Sequence, residues 1–222
     1  MRKNLTISIE DYLKSIYELT LAEERASTNQ IAERMGVTPA SVTGMLKRLA
    51  ANDPPLLDYQ KHHGVELTQE GKQVALEIIR HHRLLELYLH EMLGYGWDEV
   101  HEEADRLEHV ISEDFEERIA QALGNPQLDP HGDPIPTREL SLPIQDWVHL
   151  GDLSPGQRAT VQRVADENPE LLRYLSSIGL TPQAKLEVVA FSEFDGNLHL
   201  QVGDKTLVLG PKVTKQIYVE VE

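Results

Sequence analysis

The sequence predicts a mainly α-helical protein with a small β domain at its C-terminal end, and three observations predict it. Helix caps and apolar stripes of helical period run up to Gly124. A proline-rich connector, NPQLDPHGDPIP, interrupts them, because proline fixes φ and removes a donor. Short β-prone runs separated by glycine-containing turns follow it. The chain has 222 residues, 40% hydrophobic and 26% charged, ordinary values for a globular protein. No apolar run approaches the roughly 20 residues of a membrane helix, and MRKNLTISIE lacks the apolar centre of a signal peptide. A cytoplasmic protein with no membrane partner is expected. The absence of cysteine excludes disulfides, thiolate metal sites and cysteine nucleophiles, so any metal is held by oxygen and imidazole nitrogen.

The elements follow in order. Ser8 and Asp11 have capping-box spacing, and Tyr12, Leu13, Ile16, Tyr17 and Leu19 make one stripe, which predicts a first helix from about Ile9 to Leu21. Ser27 and Gln30 repeat the cap signal before a short helix that Gly36 ends in a left-handed conformation. Thr38 caps the next helix, with Pro39 in its first position and Val42, Leu46 and Leu49 facing inward. Two helices joined by a tight turn are a helix-turn-helix pattern. LLDYQ and GVELT flank Lys61, His62 and His63 as a hairpin, or wing. A long helix then runs from about Thr68 to Leu93 with Val74, Ile78, Leu85 and Leu89 on one face, and a further helix pair follows GYGWDE, with Ser112 starting its second member. Beyond the connector, QRATVQRVA, AKLEVVAF, NLHLQV and TLVL read as strands and PELLRYL as one short helix, which together predict a small β-barrel.

Charge is unevenly spread. The total is −16, yet residues 1–72 carry only −1, whereas 73–124 carry −9 and 125–222 carry −6. A near-neutral segment can still turn a basic face to phosphates; the middle segment would repel them. Helix-turn-helix geometry alone does not establish nucleic-acid binding. The outward face of the second helix adds to it: Ala40, Ser41, Thr43 and Gly44 are small or polar, suited to close approach to base edges, and Lys47 and Arg48 reach phosphates. Thr38 and Pro39 open that helix, and Lys61 on the wing is a phosphate-positioning donor.

The acidic stretch VHEEADRLEHVIS places His101, Asp105, Glu108 and His109 at i, i+4, i+7 and i+8, one broad face of a helix. On the preceding helix His82 and Glu86 are also four apart. Most charge runs are solvated faces, and Glu102, Glu103, Glu113, Asp114, Glu116 and Glu117 fit that description. Three carboxylates and three imidazoles gathered on two helices repel one another unless a divalent cation joins them.

EDYLKSIYEL, IAERMGVTPASVTGMLKRL, GVELTQEGK, HHRLLELYL, VHEEADRLEHVIS and GDPIP, in this order, resemble the diphtheria toxin repressor family of metal-dependent transcriptional regulators, which includes iron-dependent regulators and manganese transport regulators. The resemblance spans nearly the whole chain. It implies a winged helix-turn-helix domain over residues 1–72, a helical metal-binding and dimerisation domain over 73–140, and an SH3-like, FeoA-like barrel over 141–222. It also implies a regulatory metal site at Asp11, Asp105, Glu108 and His109 and a second site at His82, Glu86 and His101, with Glu167, Asn168 and Glu170 as candidate further ligands. Asp11 and Asp105 stand where iron-type members place methionine and cysteine. Lys14 stands where the manganese-type site supplies another carboxylate, which counts against a two-manganese cluster there. Removing sulfur and supplying carboxylate favours a hard ion, so Mn(II) is expected, with Fe(II) as the other choice; affinity order alone would favour zinc or copper.

The implied function is a homodimeric DNA-binding regulator that recognises a palindromic operator and represses metal-uptake genes when metal is bound. Two other readings stand beside it. One is a helical metalloenzyme with a carboxylate and histidine di-metal centre, although Glu108 and His109 are adjacent rather than in the Glu-x-x-His spacing of di-iron bundles. The other is a metal-independent winged-helix regulator.

Overall fold

In the computed structural model the described residues are 5–21, 23–60, 62–165 and 168–222. They divide into two compact units: one takes the described residues through His81 with Glu108–Val110 and Pro136–Ser141, and the other takes His82–Leu107, Ile111–Ile135 and Leu142–Glu222.

The first unit begins with α1 (Ile7–Leu19), α2 (Thr28–Arg34) and α3 (Pro39–Ala50). α1 starts two residues earlier than the sequence predicts: Thr6 takes the N-cap position without a side-chain cap bond, so Ser8 and Asp11 lie inside the helix rather than at its start. This places Asp11 on the helix surface with its carboxylate uncommitted to capping. α2 keeps the predicted capping box, in which Ser27 accepts from the Gln30 backbone and Gln30 accepts from the Ser27 backbone. Gly36 has φ +63°, and Thr38 caps α3 by accepting from Ser41 N. Strands β1 (Leu57–Gln60) and β2 (Gly64–Leu67) pair antiparallel as the wing. Ile9, Tyr12, Leu13 and Ile16 from α1 share one core with Val42, Leu46 and Leu49 from α3 and with Leu57, Val65 and Leu67 from the wing. Burying such side chains is worth about 1.5–3 kcal/mol each, which fixes α1 against α3.

α4 (Gln69–Leu93) is the long helix; its residues from His82 onward belong to the second unit, with α5 (Val100–Leu107) and α6 (Glu113–Ala122), which Ser112 caps. α5 stops at Leu107, and residues 108–110 form a turn. The single helix face expected to carry His101, Asp105, Glu108 and His109 is therefore broken: the first two are helical and the last two are not. Leu84, Leu85 and Leu89 pack with Val100, Ala104, Ile119 and Ile135.

The C-terminal part holds β3 (Val148–His149), β4 (Arg158–Val164), α7 (Pro169–Ile178), β5 (Lys185–Phe191), β6 (Leu198–Val202), β7 (Lys205–Leu209), α8 (Pro211–Thr214) and β8 (Ile217–Val221). The strands make one six-stranded sheet in the order β3-β8-β4-β5-β6-β7. The predicted barrel is corrected in this respect: β3 and β7 end the sheet, which is not closed on itself among the described residues. β3 is only two residues long, too short to bridge back along a partner edge. The sheet and α7 enclose a second apolar core that includes Leu150, Val161, Leu172, Leu175, Val188, Leu200 and Val219. No helix among the described residues is long and apolar enough to cross a membrane.

Candidate metal centres and nucleic-acid interface

Glu10 and Asp11 are consecutive on α1, and both reach the ring of His109 in the turn after α5. Glu10 Oε2 lies 2.7 Å from His109 Nδ1, and Asp11 Oδ1 lies 2.9 Å from Nε2. Glu108 Oε1 lies 3.3 Å from the same Nε2, while its Oε2 accepts from Lys14 Nζ at 2.8 Å. The turn is held in place by the ring of His81, whose Nδ1 is 2.9 Å from the Glu108 carbonyl oxygen. Burial alone would lower the pKa of His109; the hydrogen bonds to Asp11 and Glu10 and the charge of Glu108 overrule it and raise it. One donor atom each from Asp11, Glu108 and His109 falls within 4.8 Å of the others, so an ion of the size of Mn(II) or Fe(II) fits the oxygen and nitrogen donors gathered there.

The second cluster lies wholly in the other unit. His82 and Glu86, one turn apart on α4, meet His101 of α5: Glu86 Oε1 is 2.9 Å from His82 Nε2 and 3.1 Å from His101 Nδ1. Asp105 joins this cluster, with Oδ1 3.3 Å from His82 Nδ1 and Oδ2 3.7 Å from His101 Nε2. That follows from the early end of α5, since Asp105 is helical and one turn from His101. The other oxygen of Glu86 faces two residues that the sequence reading passed over as connector, Asp129 and His131. His131 is fully buried, and its Nε2 is 2.6 Å from the Trp97 carbonyl, which can only accept. In the neutral ring Nε2 therefore carries the proton and Nδ1 turns its lone pair towards Glu86 Oε2, 3.8 Å away. Glu86 Oε2 and Asp129 Oδ2 are buried with no hydrogen-bond partner among the described residues. Arg83 Nε, 3.8 Å from Asp129 Oδ2, compensates that oxygen only in part, and buried carboxylate oxygens without hydrogen bonds are costly unless a further cation sits between them.

The electrostatics of the two carboxyls diverge. Burial would raise Glu86, but His82 and the hydrogen bonds around it hold it well below the ordinary range, so it is ionised. Burial pushes Asp129 well above its ordinary value, and the neighbouring Asp133 and Glu86 push it further. The Asp129 loop is tightly built. Asp129 Oδ1 accepts from His131 N at 2.8 Å and Asp133 N at 2.9 Å. Asp133 in turn bridges Arg83 of α4 at 2.9 Å and Arg163 of β4 at 2.7 Å. The segment DPHGD carries the signal that would have found it: two aspartates and a histidine around a glycine, too rich in donors for a spacer.

Of the remaining candidates, Glu167 and Lys61 lie outside the described residues. Asn168 spends its side-chain oxygen capping α7, accepting from Glu170 N and Leu171 N, and Glu170 is exposed. On α3 and its cap, Thr38, Pro39, Ala40, Ser41, Gly44, Lys47 and Arg48 are exposed, while Thr43 is half-buried and donates back to Pro39 O at 2.9 Å. This is a helix with one face in the core and a small, polar, basic-edged face outward.

A winged helix-turn-helix unit beside clustered carboxylates and imidazoles defines the class of metal-responsive DNA-binding regulators. Residues 4–65 match the family described as iron dependent repressor, N-terminal DNA binding domain, residues 68–137 its metal binding and dimerisation domain, and residues 148–221 the FeoA domain. The iron-dependent repressor IdeR of Mycobacterium leprae is 32% identical over 198 residues, covering 83% of this chain and 85% of that protein. Among solved structures, a manganese-dependent transcriptional repressor in complex with manganese aligns with TM-score 0.87 and 39% identity over 95% of this chain and 98% of that one. The manganese regulator SloR aligns with TM-score 0.79 and 34% identity over 98% and 100%. The chain belongs to the iron-dependent repressor family, whose members are transcriptional repressors and not enzymes, which sets the metalloenzyme reading aside.

Proposed function

We propose that this regulator senses Mn(II), with Fe(II) as the alternative ion, and that its metal-bound homodimer binds a palindromic operator to repress metal-uptake genes. The observation that carries this reading is the convergence of Glu10 and Asp11 on Glu108 and His109, nearly a hundred positions away in sequence. Metal binding at Asp11, Glu108 and His109, with Glu10 beside them, is the regulatory site of this reading. The second site takes Glu86, His131 and Asp129, with His82, His101 and Asp105 around them. The proposed division of labour is DNA binding by residues 1–72, metal binding and dimerisation by 73–140, and a supporting role for 141–222.

When bound, a divalent ion supplies the two positive charges that make these clustered carboxylates attract rather than repel. Asp11 and Glu10 hold their places on α1, and α1 is locked to α3 through Leu13, Ile16, Val42 and Leu46. A change in where the two carboxylates sit is therefore carried to the recognition helix as a rigid-body shift. In a two-fold dimer that shift sets whether the two α3 helices match major grooves about 34 Å apart. Metal and DNA affinities are then reciprocally coupled. The oxygen and imidazole donors, with no sulfur, favour manganese or iron through hardness and coordination number.

The test is operator binding by the full chain across a manganese titration, repeated with anaerobic Fe(II). Asp11→Ala should weaken metal-dependent operator binding at least tenfold while leaving the dimer intact in sedimentation. Equal operator affinity of the two proteins at every manganese concentration would refute the reading.

A further inference from the structure

We infer that Lys14 is a resident cation of the Glu10, Asp11, Glu108 and His109 pocket, one that weakens metal binding there and steadies the metal-free protein, and so sets the metal concentration at which the regulator responds. The inference rests on that pocket being the metal site proposed above. Lys14 lies on α1 one turn beyond Glu10 and Asp11, so its side chain rises from the same helix face. Its ammonium donates to Glu108 Oε2 at 2.8 Å, and the two side chains are only 14% and 2% exposed. At such burial the pair is neither diluted by water nor screened by salt as a surface pair would be.

Charge bookkeeping shows what the ammonium does. Once His109 gives up its proton to take an ion, Glu10, Asp11 and Glu108 bring three negative charges; Lys14 reduces these to two, which a single divalent ion cancels. Without the ammonium the metal-free pocket keeps one more uncompensated negative charge, on the buried Glu108 carboxylate, a costly arrangement. With it, an incoming ion meets a positive neighbour and a Glu108 oxygen already engaged. Both effects lower affinity, and the same contact lowers the free energy of the metal-free state.

The experiment titrates Mn(II) calorimetrically into the full chain in a Glu86→Gln background, which removes the central carboxylate of the other cluster, and follows thermal unfolding with and without manganese. Lys14→Met should bind Mn(II) roughly tenfold or more tightly. It should also melt lower without metal, so that the manganese-induced rise in Tm widens. Lys14→Arg, which keeps the charge, should stay near the parent in both. Unchanged or weaker Mn(II) affinity in Lys14→Met overturns the inference. If that variant folds only with manganese present, the inference is upheld; if neither it nor Lys14→Gln folds even then, it is overturned, because the ion should replace the missing charge. Asp11→Ala in the same background is the separate control: if it leaves the titration unaltered, the reading of the pocket as a metal site fails, whatever Lys14 does.

Discussion

The Nε2 atom of His131 lies 2.6 Å from the carbonyl oxygen of Trp97, and the two rings stack with centroids 5.7 Å apart. This pairing fixes the tautomer and aims Nδ1 at Glu86. His131→Ala should bind one Mn(II) fewer per chain in a calorimetric titration, while the pocket on α1 still titrates. Full retention of both ions would show that His131 is no ligand.

Asp129 makes the metal-free protein pH-sensitive. Its folded-state pKa is raised above the unfolded value, so its contribution to stability is complete at acid pH and is lost as pH rises through the folded value. Asp129→Asn cannot ionise and keeps an acceptor for His131 N and Asp133 N. The metal-free variant should be more stable than the parent at alkaline pH, by roughly 1–3 kcal/mol, with the gap closing towards acid pH. Denaturant unfolding at several pH values checks this, and a gap of the opposite sign would count against an ionising, buried Asp129.

Gly132 has φ +90°, and a Cβ there would come within 1.9 Å of the Gln162 carbonyl oxygen. Gly132→Ala should destabilise the protein by roughly 2–4 kcal/mol, from backbone strain and displacement of β4. It should also lose Mn(II) at the Glu86 cluster while keeping the ion held by Asp11. Calorimetry together with thermal unfolding reads both.

Lys47 is exposed near the end of α3, with no role in the core. Lys47→Ala should weaken binding to operator and to unrelated duplex by similar factors and reduce the salt slope by about 1, the signature of a lost phosphate contact. Loss of affinity for operator alone would assign it to base reading instead.

How far the fold can be read from sequence depends on how local each determinant is. The caps of α2 and α3 are legible because Ser27 with Gln30, and Thr38 with Pro39, settle their geometry within four residues. The end of α5 is not, because Glu108 and His109 leave the helix to meet partners on α1 and α4 that helical periodicity cannot see. Asp105 follows periodicity and joins His101 and His82. Glu10 escaped notice because an acidic residue in a first turn has an ordinary explanation in the helix dipole. Asp129 and His131 were hidden by the prolines around them, which mark extended chain but say nothing of where it packs. The final strand β8 is not among the strands read from the sequence, although Ile217, Val219 and Val221 alternate there, and its place between β3 and β4 is a long-range pairing.

The carbonyl of His131 accepts from Val164 N at 2.9 Å, and Asp133 grips Arg163, so the DPHGD loop is stitched to β4 along its length. Every side chain assigned to the buried cluster precedes Ile135, but part of the scaffold that shapes the DPHGD loop comes from β4, after Gln157. A chain shortened to its helical portion would retain the whole inventory of ligands and lose the β4 side of the mould that shapes Asp129 and His131.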